Sequence, residues 1–191
     1  MKYLKILILL LSTIAFLNCG EGAQKEVVVE NAVSQEDLIN RGQYLVAVIG
    51  CADCHTPKKM SEKGPVFDMD RYMMGFDSSQ PLPDVPQNVP IGPWVLFKGD
   101  LTAAVGPWGT SFAGNLTPHQ TGIGNWTLEQ FSRAIREGKY KGLENGRPMM
   151  PPMPVEGYKQ MSDADLEAIF AYLKSIKPIE NVVPAYRPPG T

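Results

Sequence analysis

The chain has 191 residues, 43% of them hydrophobic and 20% charged, with a formal net charge of -2 at pH 7. That length suits one compact domain with extensions, or two very small domains, and the ordinary apolar fraction excludes a wholly disordered chain. Near-balanced charge excludes the Lys/Arg excess of a nucleic-acid-binding surface, so no nucleic-acid partner is expected.

The first segment reads as an address. Lys2 and Lys5 precede an uncharged run from Ile6 to Leu17, the layout of an export signal. The run is 12 residues long, and at ~1.5 Å per residue a helix of that length cannot cross a ~30 Å hydrocarbon core. Phe16-Leu17-Asn18-Cys19-Gly20 resembles the end of a bacterial lipoprotein signal. The resemblance implies cleavage after residue 18 and acylation of Cys19, although Leu17 and Asn18 are bulkier than the usual residues there. Residues 19–35, dominated by Glu, Gln, Lys, Ala and Asn, read as a tether from that lipid to a domain at 36–178, with a C-terminal tail at 179–191.

Three helices are predicted. The first starts at Ser34, whose spacing to Asp37 is that of a capping box; it aligns Leu38, Leu45, Val46 and Ile49 and ends near Gly50. The second starts at Thr127 with Gln130 three residues on, buries Phe131, Ala134 and Ile135, and stops at Gly138. The third starts at Ser162 with Asp165, presents Leu166, Ile169, Phe170 and Leu173, and finishes before Pro178.

Residues 57–122 hold nine prolines and eight glycines in 66 positions, which predicts a long loop without regular elements; strand-like pieces such as 94–97 are too short to build a sheet. Three short helices bury too little apolar surface to stabilise so much loop, so a large rigid group must complete the core.

Cys51-Ala52-Asp53-Cys54-His55 identifies that group, because C-x-x-C-H is a c-type haem attachment pattern. Two thiols one turn apart can add to the two vinyl groups on one porphyrin edge, and the next residue, His55, then reaches the iron. A Cys51–Cys54 disulfide would leave His55 unexplained. A zinc site lacks ligands, since His119 is the only other histidine. A thioredoxin-type redox pair would need a βαβ context. The expected cofactor is therefore one covalently attached haem c with its iron.

A sixth iron ligand is sought on the far side. Gly146 to Pro154 contains Met149, Met150 and Met153 among four prolines, a stiff segment suited to holding a thioether. A methionine-rich core patch is the plainer alternative.

The whole arrangement resembles the class I cytochrome c family, and more narrowly the cytochrome c domains of bacterial dehydrogenase cytochrome subunits. The likeness runs over about residues 36–178. It rests on Cys51–His55, Asn115-Leu116-Thr117-Pro118, Thr121 to Trp126, Ala134 to Gly138, the Met-Pro segment, and Leu166 to Leu173. The resemblance implies an all-α class I cytochrome c-like fold, short helices around a covalent haem with a long Pro/Gly-rich loop. It also implies Met153 as the sixth ligand, ahead of Met150, then His119 or Met149. Trp126 and Arg147 are candidate donors to haem propionates, each with a plain structural alternative. Gly42 and Tyr44 are expected to meet Phe170 or Tyr172 where the terminal helices cross.

The expected function is one-electron transfer with His/Met ligation between redox protein partners, with no small-molecule substrate. The expected location is the periplasmic side of a bacterial membrane, held there by the lipid on Cys19. A haem subunit of a membrane-associated dehydrogenase or oxidase is the alternative; an open-iron enzyme or gas sensor is the rival of another class.

Overall fold

A computed structural model describes residues 33–85, 92 and 94–190. The signal-like run, Cys19 and residues 19–32 of the tether lie outside the described residues.

Helix α1 spans Gln35–Ile49. Ser34 caps it, its Oγ accepting from the Asp37 amide at 3.0 Å, and Gly50 ends it in the left-handed conformation at φ 79. Helix α2 is the single turn Cys51–His55. Helix α3, Leu128–Glu137, carries the full capping box between Thr127 and Gln130 and stops at Gly138. After a short turn of helix, α4 at Val155–Tyr158, helix α5 runs over Asp163–Ser175 behind its cap Ser162.

Helices α1 and α5 cross at Gly42, where a Cβ would lie 1.9 Å from the Ala168 carbonyl oxygen and 2.7 Å from the Tyr172 Cβ. Only glycine permits that approach. Leu45 and Val46 of α1 meet Leu166, Ala168, Ile169 and Leu173 of α5 in the core, joined by Phe131 of α3, Ile123 and Met73. The Phe131 and Phe170 rings are 5.3 Å apart. Tyr44, expected at the crossing, is 58% exposed: it lies on the outer face of α1, where Arg41 stands over its ring.

The segment between α2 and α3 corrects the expectation of a structureless loop and an all-α chain. Strands β1 (Lys58–Ser61) and β2 (Gly64–Phe67) form an antiparallel hairpin. Strands β3 (Leu96–Phe97), β4 (Ala103–Gly106) and β5 (Gly109–Phe112) form a second antiparallel sheet, so 94–97 does contribute a strand. Proline and glycine are no obstacle here, because each strand is four residues or fewer and Gly64, Pro65, Gly106 and Gly109 sit at or beside the hairpin ends of their strands.

The residues after α5 return to this sheet. Thr110 and Arg187 exchange two backbone hydrogen bonds at 2.8 and 3.0 Å, and the Tyr186 hydroxyl donates to the Trp108 carbonyl. Gly109, at φ 102, faces this return so closely that a Cβ would lie 2.2 Å from the Arg187 carbonyl oxygen.

Candidate haem site

Gly50 turns the chain between α1 and α2, and α2 then presents Cys51 and Cys54 one helical turn apart. Both are free thiols and half-buried. Burial pushes the Cys51 thiol up to about 11 and raises Cys54 as well, so both carry their protons at neutral pH. The end of α2 is tied down on several sides. Lys58 Nζ donates to the Asp53 carbonyl at 2.5 Å and to the Asp100 carbonyl at 2.8 Å. Buried Thr56 accepts from the Met73 amide at 3.1 Å.

His55 Nδ1 lies 2.8 Å from the carbonyl oxygen of Gly114, just beyond β5. A carbonyl only accepts, so Nδ1 bears the proton. Nε2 keeps its lone pair and has no hydrogen-bond partner among the described residues. Burial lowers the imidazole below its ordinary value against the opposing pull of Gly114, so the ring is neutral at pH 7. A neutral imidazole with a fixed tautomer and a free Nε2 is what an iron ligand requires.

The methionine segment is mounted on the same sheet. The Ser111 hydroxyl of β5 donates to the Pro151 carbonyl at 2.5 Å, and the Met149 amide donates to the Gly138 carbonyl at 2.6 Å. Met149, Met150 and Met153 are all half-buried. The chain then enters α4, where burial first, and then negative charge on Cys51 and Cys54, pushes the Tyr158 phenol up to about 12. Tyr158 therefore lies within electrostatic reach of both cysteines. Free thiols one turn apart, a histidine with Nε2 available and a thioether-bearing segment fit a covalently bound haem.

Residues 39–177 match the family model for cytochrome c. The chain belongs to the cytochrome c family. This cytochrome is an electron-transfer protein with a covalently bound c-type haem, and its overall plan is the class I fold with two small sheets added. It is 27% identical over 183 residues, 94% of its length, to the fructose dehydrogenase cytochrome subunit of Gluconobacter japonicus, of which it covers 30%. It is 29% identical over 168 residues, 87% of its length, to the gluconate 2-dehydrogenase cytochrome c subunit of Pantoea cypripedii, covering 27% of that protein. It is 36% identical over 144 residues, 74% of its length, to the cytochrome c subunit of the quinone alcohol dehydrogenase of Gluconacetobacter polyoxogenes, covering 23% of it. The cytochrome thus spans less than a third of the length of these relatives.

Other residues singled out from sequence make contacts within the protein. Trp126 packs half-buried against the core. The Arg147 guanidinium stacks on the Tyr140 ring at 3.9 Å and donates to the Pro148 carbonyl at 2.9 Å, ordering the approach to the methionines. His119 Nδ1 is 2.9 Å from the Thr121 hydroxyl. Among the described residues, no three His, Cys, Asp or Glu side chains converge as a metal site of their own. Sequence reasoning missed Gly114 and Ser111. Gly114 acts through its backbone carbonyl and has no side-chain signature; its only signal was its place beside Asn115.

Proposed function

We propose that this cytochrome carries single electrons on one haem c bound as thioethers by Cys51 and Cys54, with His55 Nε2 and Met153 as the axial ligands of its iron. The bond from His55 Nδ1 to the Gly114 carbonyl at 2.8 Å carries this assignment, because it orients the ring and leaves Nε2 for the metal. The bound haem supplies an iron that alternates between the ferric and ferrous states, and a thioether ligand favours the ferrous form.

The protein's own residues do the rest. The Gly114 carbonyl accepts the Nδ1–H bond, which fixes the tautomer and would hold the ring with Nε2 toward the iron. The Ser111–Pro151 bond and the surrounding prolines limit the motion of the methionine segment.

The partners are redox proteins, and no small-molecule substrate is turned over. Similarity to proteins named as fructose, gluconate and alcohol dehydrogenase cytochrome subunits supports a dehydrogenase as one partner, met transiently or held as a companion subunit. The basic and apolar start of the sequence, followed by Cys19, supports export to the periplasmic side and attachment to the membrane through a lipid.

Absorption spectra of holoprotein variants test the ligand pair. Met153→Ala is expected to abolish the far-red sulfur-to-iron band of the oxidised protein, and Met150→Ala to preserve it. The opposite pattern would move the ligand to Met150.

A further inference from the structure

The segment from Pro178 onward lies beyond the residues that match the family model, yet it reaches the histidine side of the site. Asn181 is only 5% exposed. Its Nδ2 donates to the Met74 carbonyl at 2.7 Å and to the Phe76 carbonyl at 2.8 Å, gripping the chain on both sides of Gly75. Its Oδ1 accepts from the Ser78 hydroxyl at 2.9 Å and the Ser78 amide at 3.3 Å. All hydrogen-bonding positions of this amide side chain are thus used, which fixes its orientation.

Gly75 is where that grip meets the ligand. Its amide donates to the His55 carbonyl at 2.8 Å, and the Phe76 amide donates to the Ala113 carbonyl at 2.9 Å. Gly75 has φ 76 and sits so tightly that a Cβ would lie 2.5 Å from the Gly114 carbonyl oxygen, the acceptor of the His55 proton.

The same tail holds the other side of Gly114. Asn115 Nδ2 donates to the Ile179 carbonyl at 2.9 Å, and the Asn181 amide donates to Thr121 Oγ1 at 3.0 Å. Gly114 is therefore clamped between two segments, 74–78 and 115–121, that both terminate on residues 179–181.

The structure assigns Asn181 as a positioning residue for the axial imidazole, acting through Gly75 and the Gly114 carbonyl on the His55 Nδ1–H bond; this rests on His55 being the iron ligand. Loosening that bond makes the imidazole a poorer electron donor, which disfavours the ferric state and raises the midpoint potential. The weak alternative is that Asn181 only pins the tail.

The test uses full-length holoprotein and reads the midpoint potential together with the g values of the ferric low-spin signal, which depend on the orientation of the axial ring. Asn181→Ala is expected to raise the ferrous-to-ferric ratio at fixed ambient potential by about threefold, which is ~30 mV for one electron, and to shift the g values. Ser78→Ala, which removes only the hydroxyl bond to Oδ1, is expected to give a smaller change of the same sign, and it decides alone if Asn181→Ala does not accumulate. Tyr186→Phe loosens the tail at Trp108, away from Gly114, and is expected to leave both readouts unchanged. A lowered melting temperature with unchanged potential and g values in both Asn181→Ala and Ser78→Ala would overturn the assignment. His55→Gly separates the two levels: loss of the low-spin signal, restored by added imidazole, upholds the ligand. A native signal in His55→Gly overturns the ligand reading and this inference with it.

Discussion

Replacing Gly42 with alanine probes the crossing on which the haem-bearing turn is mounted. A Cβ at residue 42 would stand 1.9 Å from the Ala168 carbonyl oxygen and 2.6 Å from its carbonyl carbon, whereas real Cβ contacts stay beyond 3.0 Å. Both obstacles are backbone, so no side chain can swing aside; α1 and α5 must part by about 1 Å in a close-packed interior. Overpacking of this kind costs ~3 kcal/mol, and the better helix propensity of alanine returns ~1 kcal/mol, for a net loss of about 2 kcal/mol. For a domain of this size that is a fall in Tm of ~4–8 °C. The assay is thermal unfolding of the holoprotein followed by far-UV circular dichroism and by the haem Soret band. Gly157→Ala is the matched control, since a Cβ on that α4 residue meets nothing within 4 Å, and its Tm is expected to equal or exceed that of the wild type. A Gly42→Ala protein that melts with the wild type would refute the geometry of the crossing and the reasoning built on it.

Three main helices, the two single turns α2 and α4 and two small sheets enclose too little apolar surface to stand alone, so the Cys51→Ala/Cys54→Ala protein, purified without haem, is expected to lack a cooperative thermal transition; calorimetry checks this. Stability is also expected to fall in acid. Burial pushes the Asp77 carboxyl up, but hydrogen bonds from Ser79 and the Arg71 guanidinium at 2.6 Å outweigh it and hold Asp77 below the usual carboxylate range; Lys98 and Thr102 do the same against burial at Asp100. A lowered folded value means the contribution is fully present above the ordinary value of about 3.9 and is lost as pH falls through the folded value. Melting temperature should therefore hold steady from neutral pH to about 5 and decline below about 4, less steeply in Asp77→Asn.

The helices were legible because their signals are local. Ser34 with Asp37, Thr127 with Gln130, and Ser162 with Asp165 each settle a helix start within four residues: every cap side chain accepts from the amide three residues on, and Gln130 also makes the return bond. Cys51, Cys54 and His55 were legible for the same reason, as three side chains with one function at fixed spacing on one turn. The sheets were not. Strands β4 and β5 hold only Val105 and Phe112 as large apolar residues and are too short to show an alternation, and beside their local hairpin pairing Thr110 meets Arg187 far along the chain. Gly114 escaped because a carbonyl oxygen looks the same in every residue. Asn181 escaped because its partners at 74, 76 and 78 lie about a hundred positions away. Tyr44 and Gly42 show the limit of a helix-face argument: the crossing was placed correctly, but the smaller residue makes it and the larger one faces water.

The most direct test of a closed, electron-carrying iron is the addition of carbon monoxide to the reduced holoprotein at neutral pH. With His55 and Met153 both bound, the visible spectrum is expected to stay that of the reduced six-coordinate form. Ready binding, seen as an immediate shift of the Soret band, would contradict the account and return an open-iron enzyme or sensor to first place.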